Sequence, residues 1–241
     1  MTDRVAFLTG AASGICRATA LLLAKDGCRI VAMDANEAGA QATAQTIIGQ
    51  GGDALGVHVD VADRQSVLKA VASGIAKFRR VDILVSGAGY AKNAPILELE
   101  EAEWDRMIDV HLKGAFLTSQ AVLPYMRDQG YGRIVCISSQ NAETGSTNHA
   151  HYAAAKAGIL GLVRSLARDA GRWGVTVNAV LPGATDTPMN ASISPDRWKM
   201  LANTPVGRVG QPDDIAHAIR YLVSEHAGYT NGAYLRVNGG S

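Results

Sequence analysis

The chain has 241 residues, 47% hydrophobic and 19% charged, enough for one full core and too few for a second domain of ordinary size. A formal net charge of +1, with Lys and Arg scattered along the chain, offers no basic face to nucleic acid or an anionic membrane. No run approaches the roughly 20 apolar residues of a membrane-spanning helix, and the start Met1-Thr2-Asp3-Arg4 carries no apolar leader, so a soluble, cytoplasmic protein is expected. Cys16, Cys28 and Cys136 cannot all pair, show no CxxC spacing and sit in apolar contexts, as buried thiols would.

In chain order, residues 5–9 form a short apolar run closed by the turn Gly10-Ala-Ala-Ser-Gly14, and Ala18, Leu21, Leu22 and Leu23 then recur at helical spacing as far as Gly27. A second strand, 29–33, ends in Asp34. Helix is predicted over 38–50, a turn at Gly51-Gly52, strand over 55–59, helix over 64–78 and strand over 81–86, followed by Gly87-Ala-Gly89. Helices over 100–112 and on to 126 precede a buried strand at 134–137, a helix from Tyr152 to about Arg172 and a strand over 175–180. Apolar strands alternating with helices predict a parallel sheet covered on both faces, a three-layer doubly wound α/β fold of the Rossmann type in a single domain.

Two stretches carry chemistry. A glycine turn between strand and helix lets backbone approach a pyrophosphate, which the N–H groups and dipole of the next helix receive. Such turns also exist for structural reasons alone. Asp34, roughly 20 residues on, stands where a carboxylate hydrogen-bonds an adenosine ribose diol and repels a 2′-phosphate. No Arg or Lys occupies position 13 or follows Asp34 directly, which favours NAD(H) over NADP(H). The bland reading of Asp34 is a helix N-cap, a role Asn36 could equally fill. The second stretch is Tyr152-Ala-Ala-Ala-Lys156. In a helix these two side chains share a face, and an ammonium beside a phenol lowers its pKa toward use in proton transfer. Ser139, at the end of the 134–137 strand, can reach across to hold a carbonyl oxygen. An exposed Tyr/Lys pair on an amphipathic helix is the structural alternative.

With these residues in order, the chain resembles the short-chain dehydrogenases/reductases over essentially its whole length. The resemblance is carried by Thr9-Gly-Ala-Ala-Ser-Gly-Ile15, Asp60-Val61, Gly87-Ala-Gly89, Ser139, Tyr152-Ala-Ala-Ala-Lys156, Asn178, Pro182-Gly183, Thr187 and Val237-Asn-Gly-Gly240. It implies that Tyr152 is the proton donor or acceptor, that Ser139 orients the carbonyl, and that Lys156 binds the nicotinamide ribose. Cofactor contacts are implied for Gly10, Ser13, Gly14, Ile15, Asp34, Asp60, Val61, Gly87, Ala88, Gly89, Pro182, Gly183, Thr185 and Thr187, besides Tyr152 and Lys156. Hydride would pass directly between nicotinamide and substrate carbon, with no metal. The same resemblance implies a cofactor half of about 1–135, a catalytic and substrate half of about 136–241, and a homotetramer or dimer.

Four departures matter. Cys16 replaces the third glycine of the turn, Ser86 the second asparagine of an NNAG-like motif, and Asn238 the aspartate of a VDGG-like ending. His111 stands where the family usually has an asparagine holding a water on the proton path from Lys156. Imidazole also donates and accepts, yet it titrates, at about 6.5 unperturbed, so His111 reads either as a relay member or as a buried structural residue. His149 and His151, with Glu143, lack metal-ligand spacing. Analogy places Tyr90, Gln140, His149 and the 187–205 segment around the substrate, and the polarity of Gln140, Glu143 and His149 favours a small polyol, sugar or hydroxyketone. A 3-oxoacyl-carrier-protein reductase is the alternative, with Arg172 as an acidic-partner contact and Asp34 against it. A non-catalytic dinucleotide-binding regulator is the third reading, opposed by the intact Ser139, Tyr152 and Lys156.

Overall fold

The computed structural model describes residues 2–191 and 194–241. Within them, seven parallel strands form one sheet in the order β3-β2-β1-β4-β5-β6-β7. The strands are β1 (Val5–Thr9), β2 (Arg29–Asp34), β3 (Ala54–His58), β4 (Ile83–Ser86), β5 (Gly132–Ile137), β6 (Val175–Pro182) and β7 (Tyr234–Val237). The helices are α1 (Gly14–Lys25), α2 (Glu37–Gly49), α3 (Arg64–Phe78), α4 (Glu101–Ile108), α5 (Gly114–Gln129), α6 (Asn141–Thr144), α7 (Ala150–Ala170), α8 (Pro195–Ala202) and α9 (Pro212–Val223).

Side-chain alternation along each strand builds two cores. Val5 and Phe7 of β1 pack with Val67, Val71, Val122 and Ile159 on the face covered by α3, α5 and α7. Ala6 and Leu8 pack with Ala20, Leu23, Ile47 and Ile219 on the face covered by α1, α2 and α9. Both faces are dry, so the strands read as unbroken apolar runs. Strand order turns outward in both directions from the β1–β4 pair, and such a reversal opens a crevice beyond the carboxyl ends of the strands.

The predicted three-layer fold and its first six strands are present, with ends shifted by a few residues. α6, α8, α9 and β7 have no counterpart among the predicted elements. α9 carried a signal: Pro212 stands in its first turn, and Gln211 and Asp214 form a reciprocal capping box. β7 is four residues long and only partly buried, and an edge strand that short leaves little pattern. The helices predicted over 100–126 are joined by a π-helical turn, Asp109–Lys113, which holds His111. π-turns inside helices concentrate at functional sites. Ser192 and Ile193, in the segment expected around the substrate, lie outside the described residues.

Candidate active site

The loops after β1 and β4 are knitted together beneath the crevice. Thr9 Oγ1 accepts from the backbone N–H of Gly87 (3.1 Å) and of Ala88 (3.2 Å). Gly10 has φ +74°, and a Cβ there would lie 2.9 Å from the Gly87 carbonyl oxygen, so only glycine serves. At the start of α1, Ser13 makes no side-chain cap bond and the first turn holds no acidic residue. Its N–H groups therefore remain available to an anion. Cys16 sits one turn further in, with its Sγ 2.3 Å from where a Cβ on Gly87 would be. The thiol thus fills the space that Gly87 leaves open, and burial pushes it up to about 12. Cys136 is likewise pushed up to about 12 and Cys28 to about 11, both chiefly by burial.

Asp34 is not the N-cap of α2. Asn36 takes that role, accepting from Gly39 N at 3.1 Å. The Asp34 carboxylate instead accepts from Ala12 N and Asn36 N, both at 2.9 Å. Those bonds fix it at the end of β2 facing the glycine turn. The cleft is lined by Gly10, Ser13, Gly14, Ile15, Asp34, Gly87, Gly89, Ser139, Tyr152, Lys156, Pro182, Gly183, Thr185 and Thr187 from the predicted set. Ala12, Cys16, Asn36, Ile137, Ser138 and Pro188 to Asn190 join them without having been singled out as contacts. A glycine-lined backbone cradle, an uncapped helix N-terminus and a fixed carboxylate fit a dinucleotide. Asp60, Val61 and Ala88 do not line the cleft. Asp60 accepts from Ala62 N at 2.9 Å, and Val61 is buried against Gly114 of α5.

Ser139, Tyr152 and Lys156 meet at the inner end of the cleft. Ser139 Oγ accepts from Asn141 N at 3.1 Å, which leaves its hydrogen free to donate outward. Ser138 Oγ donates to the Lys156 carbonyl at 2.8 Å, pinning α7 to the end of β5. Lys156 Nζ donates to the Ile137 carbonyl at 2.7 Å and lies 5.6 Å from the centroid of the Tyr152 ring. Burial lowers the ammonium to about 8. The expected lowering of the Tyr152 pKa by Lys156 is not found. Burial raises the phenol above its ordinary value, and only the Ser139 hydroxyl opposes it.

His111 is buried and meets the edge of Tyr152, with ring centroids 5.3 Å apart. Its Nε2 lies 2.9 Å from the Tyr90 carbonyl oxygen and 3.1 Å from the Tyr90 N–H, while Nδ1 is buried without a partner among the described residues. Burial first, then the Lys156 charge, holds His111 well below its ordinary 6.5. It lines neither the cleft nor the recess beyond. Tyr90 also stays out of both, because its hydroxyl donates to Glu103 Oε1 at 2.8 Å.

The recess outside Ser139 and Tyr152 is lined by Gln140 and His149, as expected, and by Asn93, Asn141, Ser146, Met189, Asn190 and Ser194. Asn93, Ser146 and Ser194 lie in loops, and Asn141, Met189 and Asn190 in single helical turns too short to leave a sequence period. Glu143 is turned to an ion pair with Arg236 at 2.6 Å. His151 is buried. Among the described residues no three His, Cys, Asp or Glu side chains group as metal ligands, and no helix is long and apolar enough to cross a membrane.

A family model described as enoyl-(acyl carrier protein) reductase matches residues 10–241. The chain is 42% identical to cis-4-hydroxycyclohexanecarboxylate dehydrogenase of Sinomonas cyclohexanicum over 240 residues, 99% of this chain and 96% of the relative. It is 38% identical to the 3-oxoacyl-(acyl-carrier-protein) reductase FabG of Escherichia coli (strain K12) over 238 residues, 98% of this chain and 96% of that one. The crystal structure of levodione reductase superposes with a TM-score of 0.94 at 32% identity, covering 99% of this chain and 97% of the other.

Proposed function

Because the chain belongs to the short-chain dehydrogenase/reductase family, whose members transfer hydride between a nicotinamide cofactor and a secondary alcohol or ketone, we propose that it uses NAD(H) and acts on a small, uncharged, hydroxylated substrate. The observation that carries the cofactor choice is Asp34, fixed by two backbone N–H groups at the cleft wall. A carboxylate held there accepts from a ribose diol and repels a 2′-phosphate. The substrate class follows from the recess, whose described lining contains amides, hydroxyls and one imidazole but no lysine or arginine. The carboxylate or carrier-linked substrates named for the relatives would find no cation there.

When bound, the cofactor supplies hydride transfer. Gly10, Ser13, Gly14 and Ile15 would hold its phosphates, Asp34 its adenosine ribose, Lys156 its second ribose, and Pro182, Gly183, Thr185 and Thr187 its amide end. Ala88 acts from behind, its backbone N–H tied to Thr9 Oγ1 at the foot of the glycine turn. Ser139 donates to the substrate oxygen. Tyr152, whose phenol burial holds above its ordinary value, gives its proton to a carbonyl oxygen and recovers one from an alcohol in the reverse direction. The cofactor half of about 1–135 and the catalytic half of about 136–241 overlap at Pro182 to Thr187. We also assign a homotetramer, with exposed Trp104, Phe116 and Tyr125 of α4 and α5 between subunits. A monomeric mass by light scattering at micromolar concentration contradicts that assembly.

The test is a spectrophotometric screen with NAD(H) and NADP(H) against polyols, hydroxyketones and an acetoacetyl thioester, in the parent and in Asp34→Ser. The parent is expected to prefer NAD(H) and a hydroxylated substrate, and Asp34→Ser to narrow the cofactor ratio. An unchanged ratio makes Asp34 a brace for the glycine turn alone. Preference for the thioester with NADPH supports the carrier-protein reductase reading instead.

A further inference from the structure

We infer that His149 selects substrates bearing a second hydroxyl beside the reacting carbon, by offering that hydroxyl a ring-nitrogen acceptor. This rests on the polar-alcohol reading above and goes beyond it by naming the recognition group and the pattern it demands. His149 sits half-buried at the N-cap of α7, where its side chain makes no capping bond, and it lines the recess together with Ser139 and Tyr152.

The contacts of Nδ1 select the ring's tautomer. Nδ1 lies 3.1 Å from the carbonyl oxygen of Thr147 and 3.3 Å from Ser146 Oγ. A carbonyl oxygen only accepts, so the proton of the neutral ring belongs on Nδ1, and Nε2 carries a lone pair. No hydrogen bond from the described residues occupies Nε2. Ser139 and Tyr152 each carry an O–H that can donate to a substrate oxygen, and the Ser139 oxygen also accepts from Asn141 N. The His149 and Tyr152 rings meet edge-on, with centroids 6.0 Å apart.

A substrate spanning that gap meets donors at one oxygen and an acceptor at the next. A ketone or alcohol oxygen satisfies the first position. At the second, a hydroxyl donates to Nε2, whereas a carbonyl or carboxylate oxygen would set lone pair against lone pair. The complementary molecule is a vicinal diol in one direction and an α-hydroxyketone in the other. A monohydroxy analogue leaves the nitrogen without a partner, which sites built around a hydrogen bond penalise strongly.

The experiment compares kcat/KM with NAD for cis-1,2-cyclohexanediol and cyclohexanol in the parent, His149→Leu and His149→Asn. The parent is expected to favour the diol at least about tenfold. His149→Leu should reduce that ratio about tenfold, and His149→Asn, whose amide oxygen accepts, should restore part of it. Nitrogen NMR of the parent should show a His149 ring protonated on Nδ1, a readout that needs no variant. An Nε2-protonated ring overturns the inference, as does a ratio in His149→Leu within about twofold of the parent's. A parent that oxidises cyclohexanol as well as the diol overturns this inference and leaves the polar-alcohol reading standing. Turnover of neither alcohol overturns both.

Discussion

Two histidines flank the Tyr152 ring, and the walls that hold them differ in every respect that matters for chemistry. His111 lies in the π-turn between α4 and α5, 2% exposed, with Nε2 against the Tyr90 backbone and Nδ1 sealed in protein. His149 lies at the head of α7, half-buried, with Nδ1 against the Thr147 backbone, and it lines the recess. The same side chain is sealed into protein on one side and borders the recess on the other. What decides is which nitrogen the backbone takes and whether the other meets solvent or core.

The largest break in this comparison removes what both walls serve. Tyr152→Phe deletes the proton carrier and leaves both ring contacts in place, so turnover should fall by at least about a hundredfold while NADH binding, followed by fluorescence, stays near the parent's. Turnover within about tenfold of the parent would take Tyr152 out of proton transfer. Next in size is the sealed wall's charge. Burial depresses Lys156 from 10.5 to about 8, so between those values the unfolded chain holds a proton that the folded chain has released. Stability should rise with pH across that window, by an amount on the order of 3 kcal/mol. Lys156→Met should flatten the rise in thermal midpoint, and equal slopes in parent and variant would refute the burial penalty.

A smaller effect probes the sealed ring itself. A Cβ on Gly89 would lie 2.3 Å from His111 Cε1. Gly89→Ala should therefore destabilise by about 1–3 kcal/mol in urea unfolding. Adding His111→Asn, a smaller side chain, should recover part of that loss, and strict additivity would mean that the two residues do not press on each other.

The difference between the walls also explains what the sequence could say. Asp34, the glycine turn and the Ser139, Tyr152 and Lys156 set were readable because each sits at the end of a strand or on a helix whose period the apolar residues announce. The recess was not. Asn93, Ser146 and Ser194 lie in loops, where only the folded chain decides which polar side chain turns inward. The proton economy of the site was equally hidden: spacing puts Lys156 on the Tyr152 face, but the Ile137 carbonyl that captures its ammonium is a backbone atom of another element. Cys16 could be seen to depart from the glycine pattern, yet its accommodation against Gly87 depends on two loops meeting.

The smallest expected effect concerns the pH dependence of the sealed histidine. In solution an imidazole at position 111 would impose an acid limb on alcohol oxidation near 6.5. Burial and the Lys156 charge hold His111 well below that, so the folded ring stays neutral through the working range. His111→Asn should therefore leave the limbs of the kcat/KM profile unmoved above pH 6.5. The ring should show itself in stability instead. Below about 6.5 the unfolded chain takes up a proton that the buried ring refuses, so the parent loses stability as pH falls, by at most about 1.4 kcal/mol per pH unit. The asparagine variant has no such proton to gain and should hold its thermal midpoint better in acid. A limb near 6.5 that disappears in His111→Asn would mean that the ring titrates in the folded enzyme, and the sealed wall would then be open to protons.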